Sequence, residues 1–329
     1  MDLLLNANSA GEKFTVMIIA ILLFVAVMTI ILFAVDRPRN VPGWLAAIAF
    51  AGPALLLLIF GLVRPALITI YQAFFDRTGE NFVGTDNLAQ IFATPDLRQV
   101  IYNTFAWTIL TPLVATFLGL LYAVLVDKTR FEAVAKALIF LPMAISMVGA
   151  SIIWRFVYDY RADIGDNTQI GLANQVLVWL GFEPYQFLLQ QPWNTVFLII
   201  VFIWIQTGFA MTVLSAAIKA IPDDITEAAK LDGVSGVQLF RFVTVPAIRP
   251  ALIVVLTTLA IGSLKVFDIV RTMTGGQFGT SIVANEFYTQ AFRQGDQGLG
   301  AALALILFIL VVPIVAYNVR QQRISEEVR

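Results

Sequence analysis

The chain has 329 residues, 59% of them hydrophobic and only 13% charged, with a mean hydropathy of +0.83. That balance excludes an ordinary soluble domain and fits an integral membrane protein. A formal net charge of -1 offers no basic field for nucleic acid, and with neither cysteine nor histidine present disulfides, thiol catalysis, zinc-thiolate sites and imidazole proton relays are all excluded.

Residues 1–13 form a short polar lead, and 14–35 then runs without a charge, long enough to cross a hydrocarbon core of about 30 Å. A cleavable signal peptide is the rival reading. The run is longer than a usual signal h-region and no small-x-small site follows before Asp36, which favours a retained span. Further apolar runs at 44–66, 102–126, 133–156, 195–217, 251–270 and 299–319 bring the expected number of transmembrane helices to seven in an all-α protein. Pro53, Pro112, Pro142 and Pro313 fall inside these runs. Membrane helices tolerate them where neighbours satisfy the freed carbonyls, so kinks around a cavity and plain packing kinks are both open.

If the segment carrying Glu227 is cytoplasmic, the inner segments hold twelve cations: Arg37, Arg39, Lys128, Arg130, Lys136, Lys219, Lys230, Arg241, Arg249, Arg320, Arg323 and Arg329. The outer segments hold five: Lys13, Arg77, Arg98, Arg161 and Arg293. This asymmetry predicts a cytoplasmic C-terminus and an external N-terminus. The loops 75–100 and 158–193 then lie outside, the second carrying Asp159, Asp163, Asp166 and Glu183 and an amphipathic piece at 174–181. They suit either an extracytoplasmic protein or solvated caps over helix ends.

Polar groups inside the apolar runs are costly and face a cavity or a partner. Lys265, Asp268 and Arg271 are spaced by three, which predicts one shared helix face, for pairing with each other or for substrate. Gln206 lies mid-run with Phe209 three residues on. An amide beside an aromatic ring suits the hydroxyls and the apolar ring face of a neutral sugar, while a helix-helix hydrogen bond is the other use of such an amide.

The longest polar interruption between apolar runs, 219–250, has helix punctuation of its own. Pro222 at a first helical position, followed by Asp223 and Asp224, opens a helix over 221–233 that Gly233 stops. Ser235 and Gln238 form a capping-box pattern for a second helix through Phe240 and Val243, halted at Pro246. The first helix is too short to be stable alone, and its small apolar face of Ile225, Ala228 and Ala229 calls for a partner.

In that loop Glu227-Ala228-Ala229, Gly233, Val243, Val245 and Pro246 resemble the EAA loop of ABC importer permeases, which favours Ile and Leu at the two valines. Over about 45–318 the chain resembles the permease subunits of carbohydrate ABC importers of the maltose and glycerol-phosphate type. VGTDN at 83–87, Asn103-Thr104, Leu141-Pro142 and Thr274-Gly275-Gly276 come in that family's order. The runs around Leu141, Gln206 and Asp268 look closest to the α-glucoside branch, where Gln277-Phe278 replaces the proline-containing end of the last motif.

The resemblance implies a six-helix permease core at 41–329 and an extra N-terminal span with its linker at 1–40, in the plasma membrane of a prokaryote. It implies a second, different permease, two ATP-binding subunits that hold ATP and Mg, an extracytoplasmic sugar-binding protein and surrounding lipid. It implies no cofactor, metal or catalytic residue on this chain, in keeping with the absence of a Gly-Lys-Ser/Thr phosphate loop. Coupling to the ATPase would fall to Glu227, Ala228, Ala229, Gly233 and Pro246. The sugar would meet Met143, Ser146 and Met147 after the Leu-Pro pair; Ile205, Gln206 and Phe209 before the EAA loop; and Ser263, Lys265 and Val266 before the Thr-Gly-Gly turn. The expected function is passage of an α-glucoside or oligosaccharide of maltose or trehalose type by alternating access. A permease for another solute such as glycerol phosphate, an ion-coupled secondary carrier, which would normally show an internal repeat, and a non-transporting scaffold are the competing readings.

Overall fold

The computed structural model describes residues 10–36, 43–127, 129–161 and 171–327. Arg37, Arg39, Lys128, Asp163, Asp166, Arg329 and most of the polar lead lie outside them. Among the described residues every regular element is helical, apart from one bridge between Phe75 and Phe82. Five helices are long and apolar enough to cross a membrane, and two bent helix pairs bring the number to seven if each pair is one span. The expected spans are thus all helical, but two are broken.

Contacts divide the chain after Ile68. In the first unit α1 (Ala10–Asp36) and α2 (Gly43–Leu58) are apolar on every side. No residue of 11–29 is buried within the protein, and Phe14, Leu22 and Phe24 are exposed, as a helix facing lipid all round requires. A π-turn, Ile59–Val63, leads from α2 into α3 (Arg64–Gln72), with the Arg64 N–H bonded to the Ile59 carbonyl. Pro65 has no N–H and its ring crowds the carbonyl four residues back, and a wider turn relieves that clash.

After α4 (Asp86–Ala93), the second unit is built on α5 (Pro95–Val126) packed along α9 (Trp193–Lys219). The α5 helix begins seven residues before the apolar run at 102, because Pro95 is well placed at a helix start. Trp107, Leu198, Phe202, Met211 and Leu214 are sealed in the core. A Cβ at Gly119 would lie 2.5 Å from the Ala210 Cβ, and one at Gly208 would lie 2.6 Å from the Ile139 carbonyl oxygen. These glycines let the backbones approach closely, the way membrane helices gain van der Waals contact. The helix α13 (Arg249–Leu264) packs beside α5 and α9, and α16 (Gln297–Glu327) packs on α13 and on α15 (Val283–Tyr288).

In the first bent pair α6 (Glu132–Phe140) and a 3-10 turn, Leu141–Ala144, turn through 101° into α7 (Met147–Val157). Ser146 starts the new direction, its Oγ accepting the Gly149 N–H at 3.0 Å. The expected amphipathic piece at 174–181 is α8 (Leu172–Trp179), but Asn174 points inward. Its Nδ2 donates to the carbonyls of Asp159 (2.7 Å) and Tyr185 (3.1 Å), and its Oδ1 accepts the Tyr185 N–H at 2.7 Å.

The helix expected to halt at Pro246 does not stop there. After α10 (Asp223–Leu231), α11 (Gly236–Leu239) passes through a π-turn, Phe240–Thr244, into α12 (Val245–Ala247), and the 69° bend into α13 falls at Ile248. The Val245 N–H bonds to the Phe240 carbonyl, so the π-turn accommodates Pro246 as the earlier one accommodates Pro65. The run 251–270 also breaks. The α13 helix ends at Leu264 and α14 (Asp268–Met273) begins after Phe267, so Asp268 and Arg271 share a helix face from which Lys265 is excluded. Lys265 caps the C-terminus of one helix and Asp268 opens the N-terminus of the next, where the helix dipoles favour each charge. No ion pair joins the three among the described residues; Arg271 instead lies 5.0 Å over the Tyr288 ring.

Candidate functional site

At the start of α5 and of α9, buried amides hold one turn, 274–283. Asn103 Nδ2 donates to the carbonyls of Gly279 (2.6 Å) and Ser281 (2.8 Å), while its Oδ1 accepts from Gln99 Nε2 at 2.9 Å. Thr104 Oγ1 accepts the Val283 N–H at 3.0 Å, and Asn194 Nδ2 donates to the Phe278 carbonyl at 2.8 Å. The Asn-Thr pair and the Thr-Gly-Gly turn, motifs 170 positions apart, are one structure. Gly275, Gly276, Phe278 and Gly279 have φ of 66, 81, 57 and 67°, and a Cβ at Gly276 would lie 2.3 Å from Asn285 Nδ2. Next to the turn is a cavity of about 510 Å³ with Gln99, Gln191, Gln277 and Glu286 in its wall. A second, of about 380 Å³, lies towards Arg155, Asp159 and Gln186.

From Asn103 to Asp127 is about 36 Å along the helix at 1.5 Å per residue, and the other ends of α5 and α9 meet in a cluster of charge. Lys136 Nζ lies 2.5 Å from Asp127 Oδ1 and 2.8 Å from Glu132 Oε1, and it also bonds to Ser215 Oγ. Ser215 Oγ donates to Asp127 Oδ1 at 2.8 Å, and Lys219 pairs with Glu132. Sequence reasoning counted Lys136 and Lys219 only as topology markers. Glu132 and Lys136 are a local pair four residues apart, but Ser215 is 79 positions from Lys136 and Lys219 reaches Glu132 across 87, and nothing local signals that meeting.

Directly beyond Lys219 comes α10. Pro222 is its N-cap, with ψ of 136°, so the helix expected over 221–233 runs over Asp223–Leu231. The Val234 N–H bonds to the Ala229 carbonyl and the Gly233 N–H to that of Lys230, closing the helix in a Schellman turn. Gly233 has φ of +81°, as that turn requires. The Ser235–Gln238 capping box is formed in both directions. Glu227, Ala228 and Pro246 are exposed and Ala229 is half-buried. Leu231 and Val237 stand out at 89% and 79% exposure, an apolar surface that the described residues do not cover.

The elements carrying the nine expected sugar contacts pack on one another. The turn Leu141–Ala144, α7 and α13 lie against α9, and α14, which follows Lys265 and Val266, lies against α7 and α9. Met147, Ile205, Phe209 and Val266 belong to one apolar cluster. Met143, Ser146 and Lys265 are exposed and Met147, Gln206 and Phe209 half-buried, whereas Ile205, Ser263 and Val266 are sealed in the core. The Ser263 hydroxyl donates to the Ala260 carbonyl at 2.8 Å.

Residues 99–324 match the family described as the binding-protein-dependent transport system inner membrane component. The chain belongs to this family of ABC importer permeases. The permease is 46% identical over 272 residues to the alpha-glucoside transport system permease protein AglF of Rhizobium meliloti, covering 82% of this chain and 80% of the relative. It is 45% identical over 280 residues to the osmoprotective compounds uptake permease protein GgtC of Synechocystis sp., covering 85% of this chain and all of the relative. A chain of a bacterial alginate ABC transporter, solved in complex with an alginate pentasaccharide-bound periplasmic protein, shares the permease's fold. The TM-score is 0.71 at 22% identity, over 84% of this chain and 92% of that one.

Proposed function

We propose that this permease passes an α-glucoside or related oligosaccharide from an external binding protein to the cytoplasm by alternating access, alongside a second, different permease. ATP and Mg are used on two separate ATP-binding subunits, with no cofactor, metal or covalent chemistry on this chain. The observation that carries the reading is the loop at 219–250. A helix started by Pro222 and closed by a Schellman turn, presenting Glu227, Ala228 and Leu231 outward, has the shape of an element to be gripped by a partner. With that loop in the cytoplasm the C-terminus is inside, the N-terminus outside, and residues 1–40 supply a span beyond the six-helix core.

The name of AglF supports the α-glucoside, and the half-buried Gln206 beside Phe209 suits a neutral, hydroxyl-rich solute. Gln206 has no hydrogen-bond partner among the described residues, which leaves its amide for the solute. The name of GgtC favours a second solute class, osmoprotective compounds.

The test is to reconstitute the full complex and measure ATP hydrolysis with binding protein loaded with maltose, trehalose or glycine betaine. Stimulation by the two sugars is expected. Stimulation by glycine betaine alone would shift the assignment to osmoprotectants, and uptake driven by an ion gradient without the ATPase would overturn it. For the topology, a cysteine at Ser9 in this cysteine-free chain should react with an impermeant thiol reagent in intact cells; reaction only after lysis would defeat the external N-terminus.

A further inference from the structure

Phe278 has φ of 57°, a backbone that glycine adopts freely and a bulky residue rarely does. Its neighbours Gly275, Gly276 and Gly279 hold the same region as glycines, so an unstrained choice was available at 278. Instead an aromatic ring stands there, 50% exposed. The surroundings over-determine the strain. Asn194 holds the Phe278 carbonyl, Asn103 the next one, and Thr280 Oγ1 donates to the carbonyl of Gln277 at 2.7 Å. Strain that is kept in place this way marks a site with a use.

Phe278 lines both cavities at this end of the second unit. On the larger side the wall carries the amides of Gln99, Gln191 and Gln277 and the carboxylate of Glu286. Glu286 is braced by Ser281 at 2.9 Å and Gln290 at 2.7 Å. An exposed ring flanked by amides and a fixed carboxylate is the chemistry that holds a sugar, with its C–H face on the ring and its hydroxyls on the polar groups. The volume of about 510 Å³ lies in the range of small-molecule sites.

We infer that Phe278 is the platform of a carbohydrate-binding subsite at the mouth of the permease, separate from Gln206 and Phe209. Asn194, which fixes the platform, and Gln206 are about 18 Å apart along α9, so a sugar occupies the subsite before it enters the membrane. The inference rests on the solute class proposed above. It adds a function to Gln277-Phe278, the pair that departs from the wider family's proline-containing turn.

The test uses the whole complex in nanodiscs without binding protein, labelled with p-azidophenyl α-maltoside, with adducts mapped by mass spectrometry in the presence and absence of maltose. Maltose-protected adducts are expected within 276–286 and around Gln191. Phe278→Gly relaxes the backbone while removing the ring, and should lower those adducts about three- to tenfold; Phe278→Trp should keep them. Gln277→Ala alters an exposed amide and should lower labelling with assembly intact. Wild-type labelling in Phe278→Gly and Gln277→Ala would overturn the subsite. So would adducts confined to 205–209 together with weaker binding-protein docking in Phe278→Gly, which would make the ring a protein contact and leave the proposed function standing. No maltose-protected adduct anywhere on the chain would instead remove the solute assignment itself.

Discussion

The turn at 274–283 and the loop at 219–250 lie at opposite ends of α9, and they are held in opposite ways. The turn's carbonyls are taken by Asn103 and Asn194, which are 176 and 84 positions distant. The loop is shaped by bonds that span three to five residues, such as Val234 to Ala229, Gly233 to Lys230 and Ser235 to Gln238. Long-range amides fix where a segment sits, whereas local caps fix only its shape. The turn is therefore complete within this chain, while the loop presents a finished helix whose Leu231 and Val237 are left bare by the described residues.

The strongest way to break this contrast is Gly276→Val, whose Cβ would collide with Asn285 at a positive φ. Folded permease should be lost on size exclusion. Asn103→Ala, which strips two carbonyls of their donor, should cost about 1–3 kcal/mol in melting experiments. Wild-type melting in both would show that the turn is not the anchor described here.

Next in size, Ala229→Leu and Gly233→Val should leave the permease folded in the membrane and abolish sugar uptake, because in the proposed function α10 docks on a separate ATP-binding subunit. Purified complexes should retain less ATPase subunit. Full retention with wild-type uptake would mean that the loop does not couple.

Gln206→Ala, midway between the two ends, should weaken uptake of dilute sugar by about 1 kcal/mol, roughly fivefold, with assembly unchanged. Unaltered uptake in an assembled complex would make Gln206 structural.

The smallest effect concerns Asp76, in an exposed turn held locally like the loop. Side-chain bonds from Asn81 and Thr78, with the Glu80 N–H, keep its carboxyl well below the ordinary value of 3.8. A depressed folded pKa contributes stability above the unfolded value and loses it only as pH falls through the lower folded one. Amide protection at Thr78 and Glu80 should therefore be equal at pH 7 and pH 5 after correction for intrinsic exchange. A drop between those values would refute the local bonding.

The sequence made the loop legible because its signals are local: Gly233 and the Ser235–Gln238 box are where expected, and only the exits shifted, Pro222 to the N-cap and the end from Pro246 to Ala247. The spans were legible as apolar runs, yet hydropathy is blind to direction. Nothing in the average reveals the 101° bend before Met147, although Pro142 and the capping Ser146 lie there. The break after Leu264 was hidden because the triplet spacing of Lys265, Asp268 and Arg271 suggested one face where two helix ends meet. The Asp127–Lys136–Ser215 cluster was illegible because it exists only once α5, α6 and α9 are packed.

Unlike α5 and α16, which contain Pro112 and Pro313, α9 has no proline, and its glycine at 208 brings it against Ile139 near its middle. A stiff rod held at an inner point is a lever. From Gly208 to Asn194 the arm is about 21 Å and from Gly208 to Lys219 about 16 Å at 1.5 Å per residue. A tilt of about 10° about that crossing would carry the two ends roughly 4 Å and 3 Å in opposite directions. The same small rotation would thus widen the bundle at one membrane face while narrowing it at the other, with no bending of the helix between them.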